Sequence, residues 1–257
     1  HKTAETMKSN RTLLIPAGII LLFLLQLLLL HWLSPLLSRD GIAYVESAKL
    51  WSDPVYRETC FVYTAHAQFP LFISAMSLGA TLFHLPYELS GQLICAFSGV
   101  LFLCMVYLLC RQISGNTEFA VLTVLMLAFS SSLLSLSLEI QRELPYLAGA
   151  AAFLFCAAAF FRNGRWFAGA GMALTAALAM CTRIETFFLP AAAILFFGGA
   201  AFWKRCSWKL AFKAWGWLAA AYAVAYPLAF MLMTPEKSTF PLLFYLGPLL
   251  KKLGVLQ

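Results

Sequence analysis

LLIPAGIILLFLLQLLLLHWL, residues 13–33, is a run of 21 mostly apolar residues that contains no Asp, Glu, Lys or Arg. A helix needs about 20 such residues to cross roughly 30 Å of hydrocarbon. The run is too long for the apolar part of a signal peptide, and it lacks a small-residue cleavage site. Three basic residues, Lys2, Lys8 and Arg11, precede it. These features predict an uncleaved first membrane-spanning helix.

The rest of the chain has a similar composition. Of its 257 residues, 62% are apolar and 11% are charged, and the mean hydropathy is +0.82. A soluble domain has about 45–50% apolar and about 25% charged residues. The composition therefore excludes a soluble enzyme, a disulfide-stapled secreted domain and a nucleic-acid-binding module, and it predicts a polytopic membrane protein. In such a protein the net charge of +7 reports orientation rather than a polyanionic partner.

Hydropathy predicts about seven spanning helices in one domain, residues 1–257. Besides residues 13–33, six stretches are long enough, or nearly so, to cross the bilayer. They are residues 89–110, 119–138, 144–161, 166–182, 186–203 and 214–233. The chain starts with His1 and ends soon after a short apolar run, residues 240–250. We therefore expect it to be truncated at the C-terminus, with this run either interfacial or the start of a further helix.

Residues 69–85 are ambiguous, because 17 residues lie at the lower limit for a span. If they do not span, the N-terminus and the loops at 111–118, 162–165 and 204–213 share one side, with ten Lys or Arg and two acidic residues. The other side then has five basic and eight acidic residues. Cytoplasmic loops carry the excess of Lys and Arg. We therefore predict a cytoplasmic N-terminus and a long external loop, 34–88, in which 69–85 form an interfacial or re-entrant helix.

Three short polar stretches at helix ends are the candidate functional site. They are residues 38–41 (SRDG), 139–146 (EIQRELPY) and 182–185 (TRIE), and the favoured topology places all three outside. Charged groups beside apolar helices are costly and therefore indicate function. Asp40 is interpreted either as a helix N-cap or as a general base that takes the proton of an acceptor hydroxyl. The two roles can coexist.

Glu143 also has structural alternatives. Pro145 fits the first turn of a helix, where an acidic side chain stabilises the positive end of the helix dipole. Alternatively, Glu139, Arg142 and Glu143 pair with one another in a solvated loop. Arg142 and Arg183 are better candidates for an anion site, because a guanidinium stays charged and binds phosphate oxygens in a bidentate way.

Two further polar residues have a role that the sequence leaves open. Glu185 either belongs to the site or only orients Arg183. His66 lies near the start of segment 69–85, where a lone histidine is more often structural than a ligand.

The order of these motifs resembles that of the membrane-embedded glycosyltransferases of the GT-C class. The resemblance is to glycosyltransferase family 39, which includes protein O-mannosyltransferases and the lipid A aminoarabinose transferase, and it covers about residues 11–235. The matching features are Arg39-Asp40-Gly41 with Tyr44 and Ala48, His66 with Pro70, Glu143-Leu144-Pro145, and Thr182-Arg183-Ile184-Glu185.

The resemblance implies an inverting hexosyltransferase or mannosyltransferase. It would move a sugar from a polyprenyl-phosphate donor to an acceptor hydroxyl on the extracytoplasmic side. The implied roles are general base for Asp40, second catalytic acid for Glu143, binding of the donor phosphate for Arg142 and Arg183, and support for Arg39, His66 and Glu185.

Some relatives also bind a divalent metal, and Asp40 and Glu143 are the candidate ligands for Mg²⁺, Mn²⁺ or Zn²⁺ here. Those relatives that have two adjacent acids at the first motif differ from this chain, in which Gly41 follows Asp40. A metal-dependent site and a metal-free site both stay open.

The expected protein is an all-α, multi-pass integral membrane protein with a GT-C-like fold. Its expected location is a bacterial inner or plasma membrane, or the endoplasmic reticulum of a eukaryote. Its expected partners are the polyprenyl-phosphate sugar, a lipid, glycan or protein acceptor, and membrane lipids, with no nucleic acid. The alternatives are a non-catalytic membrane scaffold and a transporter or flippase, which would place ionisable groups or broken helices near the bilayer midplane.

Overall fold

The computed structural model describes residues 2–33, 38–52 and 70–232, and the regular elements in these ranges are all helices. The prediction of an all-α protein is confirmed for this part of the chain. Its elements are α1 (Lys2–Leu33), α2 (Arg39–Ser52), α3 (Pro70–Phe83), α4 (Tyr87–Ser114), α5 (Thr117–Ala128), α6 (Ser131–Leu138), α7 (Glu143–Asn163), α8 (Trp166–Met180), a 3₁₀ helix (Ile184–Phe187), α9 (Phe188–Phe202) and α10 (Trp208–Leu232).

Three of these helices are long and apolar enough to cross a membrane: the Ile15–Trp32 part of α1, α4 and α7. Helices α5 and α6 together meet the same requirement, but they bend by 60° at their junction and form one broken candidate span. Helices α8 and α9 have 15 residues each, which is about 22 Å of helix. Among the described residues there are thus three or four candidate spans, and the count of seven stays a prediction.

Helices α2 and α3 pack together against α4. The Tyr44 ring of α2 meets the Phe72 ring of α3 edge to face, with centroids 5.3 Å apart, and both belong to one buried cluster with Met76 and Ile140. Helix α3, which occupies the ambiguous segment, has 14 residues, or about 21 Å. That length is short of the roughly 30 Å of hydrocarbon, and the interfacial position of α3 stays a prediction.

Small residues let α7 and α8 approach each other closely. A Cβ added to Gly149 of α7 would lie 3.0 Å from the Ala179 Cβ of α8, and Ala148 beside it is buried. Small side chains at such contacts allow membrane helices to pack backbone against backbone. The contact places the first turn of α7, with Glu143, beside the C-terminal end of α8, which Arg183 follows closely.

Gly91 of α4 provides room for the chain that leads into α7. A Cβ there would lie 2.8 Å from Met76 Cε and 2.9 Å from Ile140 Cγ2. We expect Gly91→Ala to lower the unfolding free energy, because overpacking a core costs about 1–3 kcal/mol and the gain in helix propensity is about 1 kcal/mol at most. The matched control is Gly18→Ala in α1, whose Cβ would have nothing within 4 Å. Thermal unfolding in detergent should show a lower midpoint for the first variant only, and equal midpoints would contradict this packing.

Candidate active site

Helix α2 begins with a side-chain cap that leaves Asp40 exposed. The Gly41 backbone N–H donates to Ser38 Oγ at 3.1 Å, and the Ile42 N–H donates to the Ser38 carbonyl at 3.1 Å. Ser38 therefore takes the N-cap role that is one interpretation of Asp40. The Asp40 carboxylate lies in the first turn and is exposed, so it is available to a ligand.

The start of α2 lies against the segment that joins α6 to α7. A Cβ on Gly41 would be 3.4 Å from the Ile140 Cβ and 3.5 Å from its carbonyl oxygen, and Ile140 is fully buried. The next residue, Gln141, accepts a bond from Cys95 Sγ of α4 through its carbonyl oxygen at 3.3 Å. These contacts hold the residues just before α7 beside Asp40.

Glu143 and Arg183 form an ion pair across 40 positions of sequence. Arg183 Nη1 donates to Glu143 Oε1 at 2.9 Å, and the two side chains are 23% and 31% exposed. The Arg183 guanidinium also lies over the Tyr146 ring, 5.6 Å from its centroid. Because the pair is only partly exposed, solvent screens it less than a surface pair. A carboxylate and a guanidinium are thus held together at one end of the bundle.

Tyr44 of α2 lies within electrostatic reach of four of the charged candidate residues. Its side chain is 3% exposed, and this burial raises the pKa of the phenol from 10.0 to about 12. Smaller influences on this pKa come, in decreasing order, from Arg142, Glu143, Asp40 and Arg183: the two guanidinium groups lower it and the two carboxylates raise it. The three polar stretches of the sequence therefore converge around one buried, neutral hydroxyl.

The dolichyl-phosphate-mannose-protein mannosyltransferase family matches residues 66–233, about two thirds of the chain. The chain belongs to this family. It is therefore a membrane glycosyltransferase of the mannosyltransferase type, an activity that in this family depends on a sugar carried by a polyprenyl phosphate. The resemblance to family 39 is confirmed. No curated protein and no solved structure matches the chain.

The family match covers only part of the candidate site. It includes Arg142, Glu143 and Arg183, whereas Arg39 and Asp40 lie before its first residue. Arg39 is exposed in the first turn of α2. Arg142 directly precedes α7, and its Nε and Nη1 atoms are buried. Asp40 lies outside the family match, and only the packing of α2 against Ile140 brings it close to the matched residues.

Three further sequence predictions have a more limited outcome. His66 lies outside the described residues, and the same is true of the Glu185 side chain, so their roles stay predictions. Glu139 accepts from Ser135 Oγ at 2.9 Å and from Gln141 Nε2. It is therefore bonded within its own turn, whereas Glu143 is bonded to Arg183 of another element.

The divalent metal that some relatives bind has Asp40 and Glu143 as its candidate ligands here. Within 2–33, 38–52 and 70–232, no three His, Cys, Asp or Glu side chains cluster at a spacing that suits a metal ion. The described residues show the carboxylate of Glu143 bonded to Arg183. Metal binding by Asp40 and Glu143 stays a prediction.

From the sequence, Tyr44 was identified only as part of the first motif. The sequence did not predict that Tyr44 is the buried group around which the charges lie. The cap by Ser38 had a local signal, since Ser three residues before the bonded N–H is a common helix start. The contact between the Tyr146 ring and the Arg183 guanidinium had no such local signal, because it joins two different helical segments.

A pH experiment tests the burial of Tyr44. Because the pKa of this phenol is about 12 in the folded protein and 10.0 is its ordinary value, the unfolded chain loses the proton first as the pH rises. The contribution to stability is therefore complete below about pH 10 and is lost as the pH rises toward about 12. We expect wild type to lose more unfolding free energy than Tyr44→Phe over this range. Parallel stability curves for the two proteins would show that the phenol is not buried.

Proposed function

We propose that the protein transfers a sugar from a polyprenyl-phosphate donor to an acceptor hydroxyl on the extracytoplasmic side, with inversion and with Asp40 as the general base. The observation that carries the proposal is that the Gly41–Ile140 contact holds Asp40 beside the start of α7, where Glu143 pairs with Arg183 at 2.9 Å. Asp40, Arg142, Glu143 and Arg183 all influence the pKa of Tyr44 there. A carboxylate and two guanidinium groups supply the two functions that such a transfer needs, a base for the acceptor and positive charge for the leaving group.

The proposed reaction is a single displacement. The acceptor oxygen bonds to the anomeric carbon while the bond from that carbon to the phosphate oxygen breaks. The hydroxyl proton passes to the Asp40 carboxylate, and the electron pair of the broken bond stays on the polyprenyl phosphate. Arg183 and Arg142 stabilise this charge where it develops, which lowers the barrier more than equal binding of donor and transition state would.

Glu143 is proposed to position Arg183 in this reaction. Its carboxylate holds the guanidinium at 2.9 Å, and Tyr146 supports the same group through its ring. Arginine has five N–H donors, so a guanidinium can bond to a carboxylate and to a phosphate oxygen at the same time. Asp40, Arg142, Glu143 and Arg183 form the charged cluster around Tyr44, whose pKa of about 12 keeps the hydroxyl neutral at physiological pH.

The proposed orientation follows from charge at the two ends of the bundle. The cluster lies at the first turn of α7, whereas Arg162 and Arg165 lie near its other end. By the positive-inside rule this second end faces the cytoplasm. The cluster and α2 then face outward, with seven spans and the N-terminus in the cytoplasm. A lipid-linked donor presents its sugar at this outer interface.

The transporter alternative predicts ionisable groups at a helix break in the membrane. The junction of α5 and α6 is such a break, with a 60° bend, but its residues are Phe129 and Ser130. Ser130 Oγ accepts from the Leu133 N–H at 3.4 Å and so caps α6. The charged cluster lies elsewhere, at helix ends, and this arrangement favours the transferase.

The experiment is a transfer assay with the purified chain in nanodiscs. Polyprenyl phosphate carrying labelled mannose is offered with a Ser/Thr peptide, a glycolipid or a mannoside as the acceptor, and nucleotide-linked mannose replaces the donor in the control. We expect labelled acceptor and free polyprenyl phosphate in equal amounts, and a product of inverted anomeric configuration. The proposal would be contradicted if sugar were transferred only from nucleotide-linked mannose and not from the lipid-linked donor. A product of retained anomeric configuration would also contradict it.

A further inference from the structure

An apolar cavity lies between α4, α7 and α9, away from the charged cluster. Its volume is about 830 Å³, within the roughly 300–1,000 Å³ of small-molecule sites. Its walls include Leu109 of α4, Leu154 and Phe161 of α7, and Ala192 and Phe196 of α9. The Phe161 and Phe196 rings pack against each other with centroids 5.4 Å apart. The site is shaped for a hydrocarbon chain.

The cavity occupies the half of the bundle opposite to the candidate active site. Along α7 it extends from Phe153 to Arg162, about 14 Å of helix, which is close to half of a hydrocarbon core about 30 Å thick. Glu143 is 19 residues before Arg162 on the same helix, or roughly 28 Å away. A ligand with its head at Arg162 therefore belongs to the other leaflet and does not reach the Glu143–Arg183 pair.

One end of this cavity is polar and positively charged. Arg162 Nη1 donates to the Gln112 carbonyl at 2.8 Å, and both residues line the cavity together with Ser114. The Gln112 side chain has a buried Oε1 atom that bonds to no group among the described residues. The exposed Arg111 and Arg165 add further positive charge at this end. An anionic, hydrogen-bonding head group matches these features.

We propose that this cavity binds one acyl chain of an acidic diacyl phospholipid, with its phosphate at Arg162. The guanidinium supplies a charge-assisted bond to a phosphate oxygen, and the buried Gln112 Oε1 atom supplies an acceptor for a hydroxyl of the head group. Basic pockets between membrane helices bind anionic lipid head groups in this way. The site is distinct from donor binding, because the donor phosphate is assigned to the other end of α7.

The test measures binding of phosphatidylglycerol to the full chain by native mass spectrometry and by the thermal unfolding midpoint, with phosphatidylcholine as the neutral control. We expect phosphatidylglycerol to stay bound and to raise the midpoint more than phosphatidylcholine does. Arg162→Gln should reduce the preference for phosphatidylglycerol about tenfold, because it removes one charge-assisted hydrogen bond to the phosphate. The control Arg205→Gln removes an exposed arginine that does not line the cavity and should keep the preference.

A second pair of variants keeps the test valid if Arg162→Gln folds poorly. Ala192 and Ala191 are adjacent and both exposed, but only Ala192 lines the cavity. Ala192→Trp should fill it and abolish retention of phosphatidylglycerol, whereas Ala191→Trp should not. Equal retention of the two lipids, or unchanged retention in Ala192→Trp, would overturn the proposal. Displacement of phosphatidylglycerol from wild type by sugar-free polyprenyl phosphate would also overturn it, since the cavity would then belong to the donor.

Discussion

Asp40→Asn is expected to lower turnover by about 10²- to 10⁴-fold while donor binding is retained, because general base catalysis contributes about this much. Asn has nearly the same shape as Asp but cannot take the hydroxyl proton. The cap on α2 comes from Ser38, so the helix should still form. Turnover is measured with labelled donor under single-turnover conditions, and donor affinity is measured separately with a non-transferable analogue.

The matched control for Asp40 is Glu46→Gln on the same helix. Glu46 is a 60% exposed side chain that pairs with Lys49 at 3.2 Å, and such a surface pair contributes about 0–1 kcal/mol. Its loss should leave turnover within about twofold of wild type, because a surface substitution away from the site changes stability by only about 0.5 kcal/mol. Wild-type turnover in Asp40→Asn would remove Asp40 from the base role. An equal loss in both variants would indicate damage to α2 instead.

Arg183→Gln is expected to weaken donor binding by about 10- to 100-fold. A hydrogen bond to a charged group contributes about 1.5–3 kcal/mol, and each 1.4 kcal/mol corresponds to a tenfold change in affinity. Glu143→Gln should have a smaller effect on donor affinity, since the Arg183 charge is kept and the Tyr146 ring can still contact the guanidinium. It should lower turnover, however, because Arg183 is then less precisely oriented.

A double-mutant cycle separates these two roles. If Glu143 acts through Arg183, the combined variant should be no slower than Arg183→Gln alone, which is strong non-additivity between contacting residues. The control is Arg205→Gln, an exposed arginine near the far end of the bundle, and its donor affinity should match wild type. Additive losses in the cycle would show that Glu143 acts independently of the 2.9 Å pair. Unchanged donor affinity in Arg183→Gln would rule out the phosphate contact.

Hydropathy predicted the long helices well and their internal breaks poorly. The predicted spans 89–110 and 144–161 lie within α4 and α7 and differ from them by a few residues at each end. The predicted span 119–138 is instead two helices that meet at 60°. The reason is local, because the Ser130 side chain caps a new helix. A window average over about 20 residues does not detect one hydroxyl that starts a new helix.

The candidate site was predictable in its residue types but not in its pairing. Asp40, Glu143 and Arg183 are unusual because a charge near an apolar helix is costly, and this cost is visible in the sequence. Their contacts are not, since the bond from Arg183 to Glu143 joins residues 40 positions apart. It depends on the close approach of α7 and α8 at Gly149.

The sequence by itself determined that this is a helical membrane protein and which few charged side chains it retains, because the cost of burying polar groups in hydrocarbon acts on every residue separately. Only the tertiary structure decided which of these charges meet. The contact of Gly41 with Ile140 and the place of Ile140 beside Gly91 bring Asp40 to the start of α7. Packing between distant segments depends on side-chain shape at each contact. The meeting of these charges therefore arises only when the helices are assembled around Tyr44.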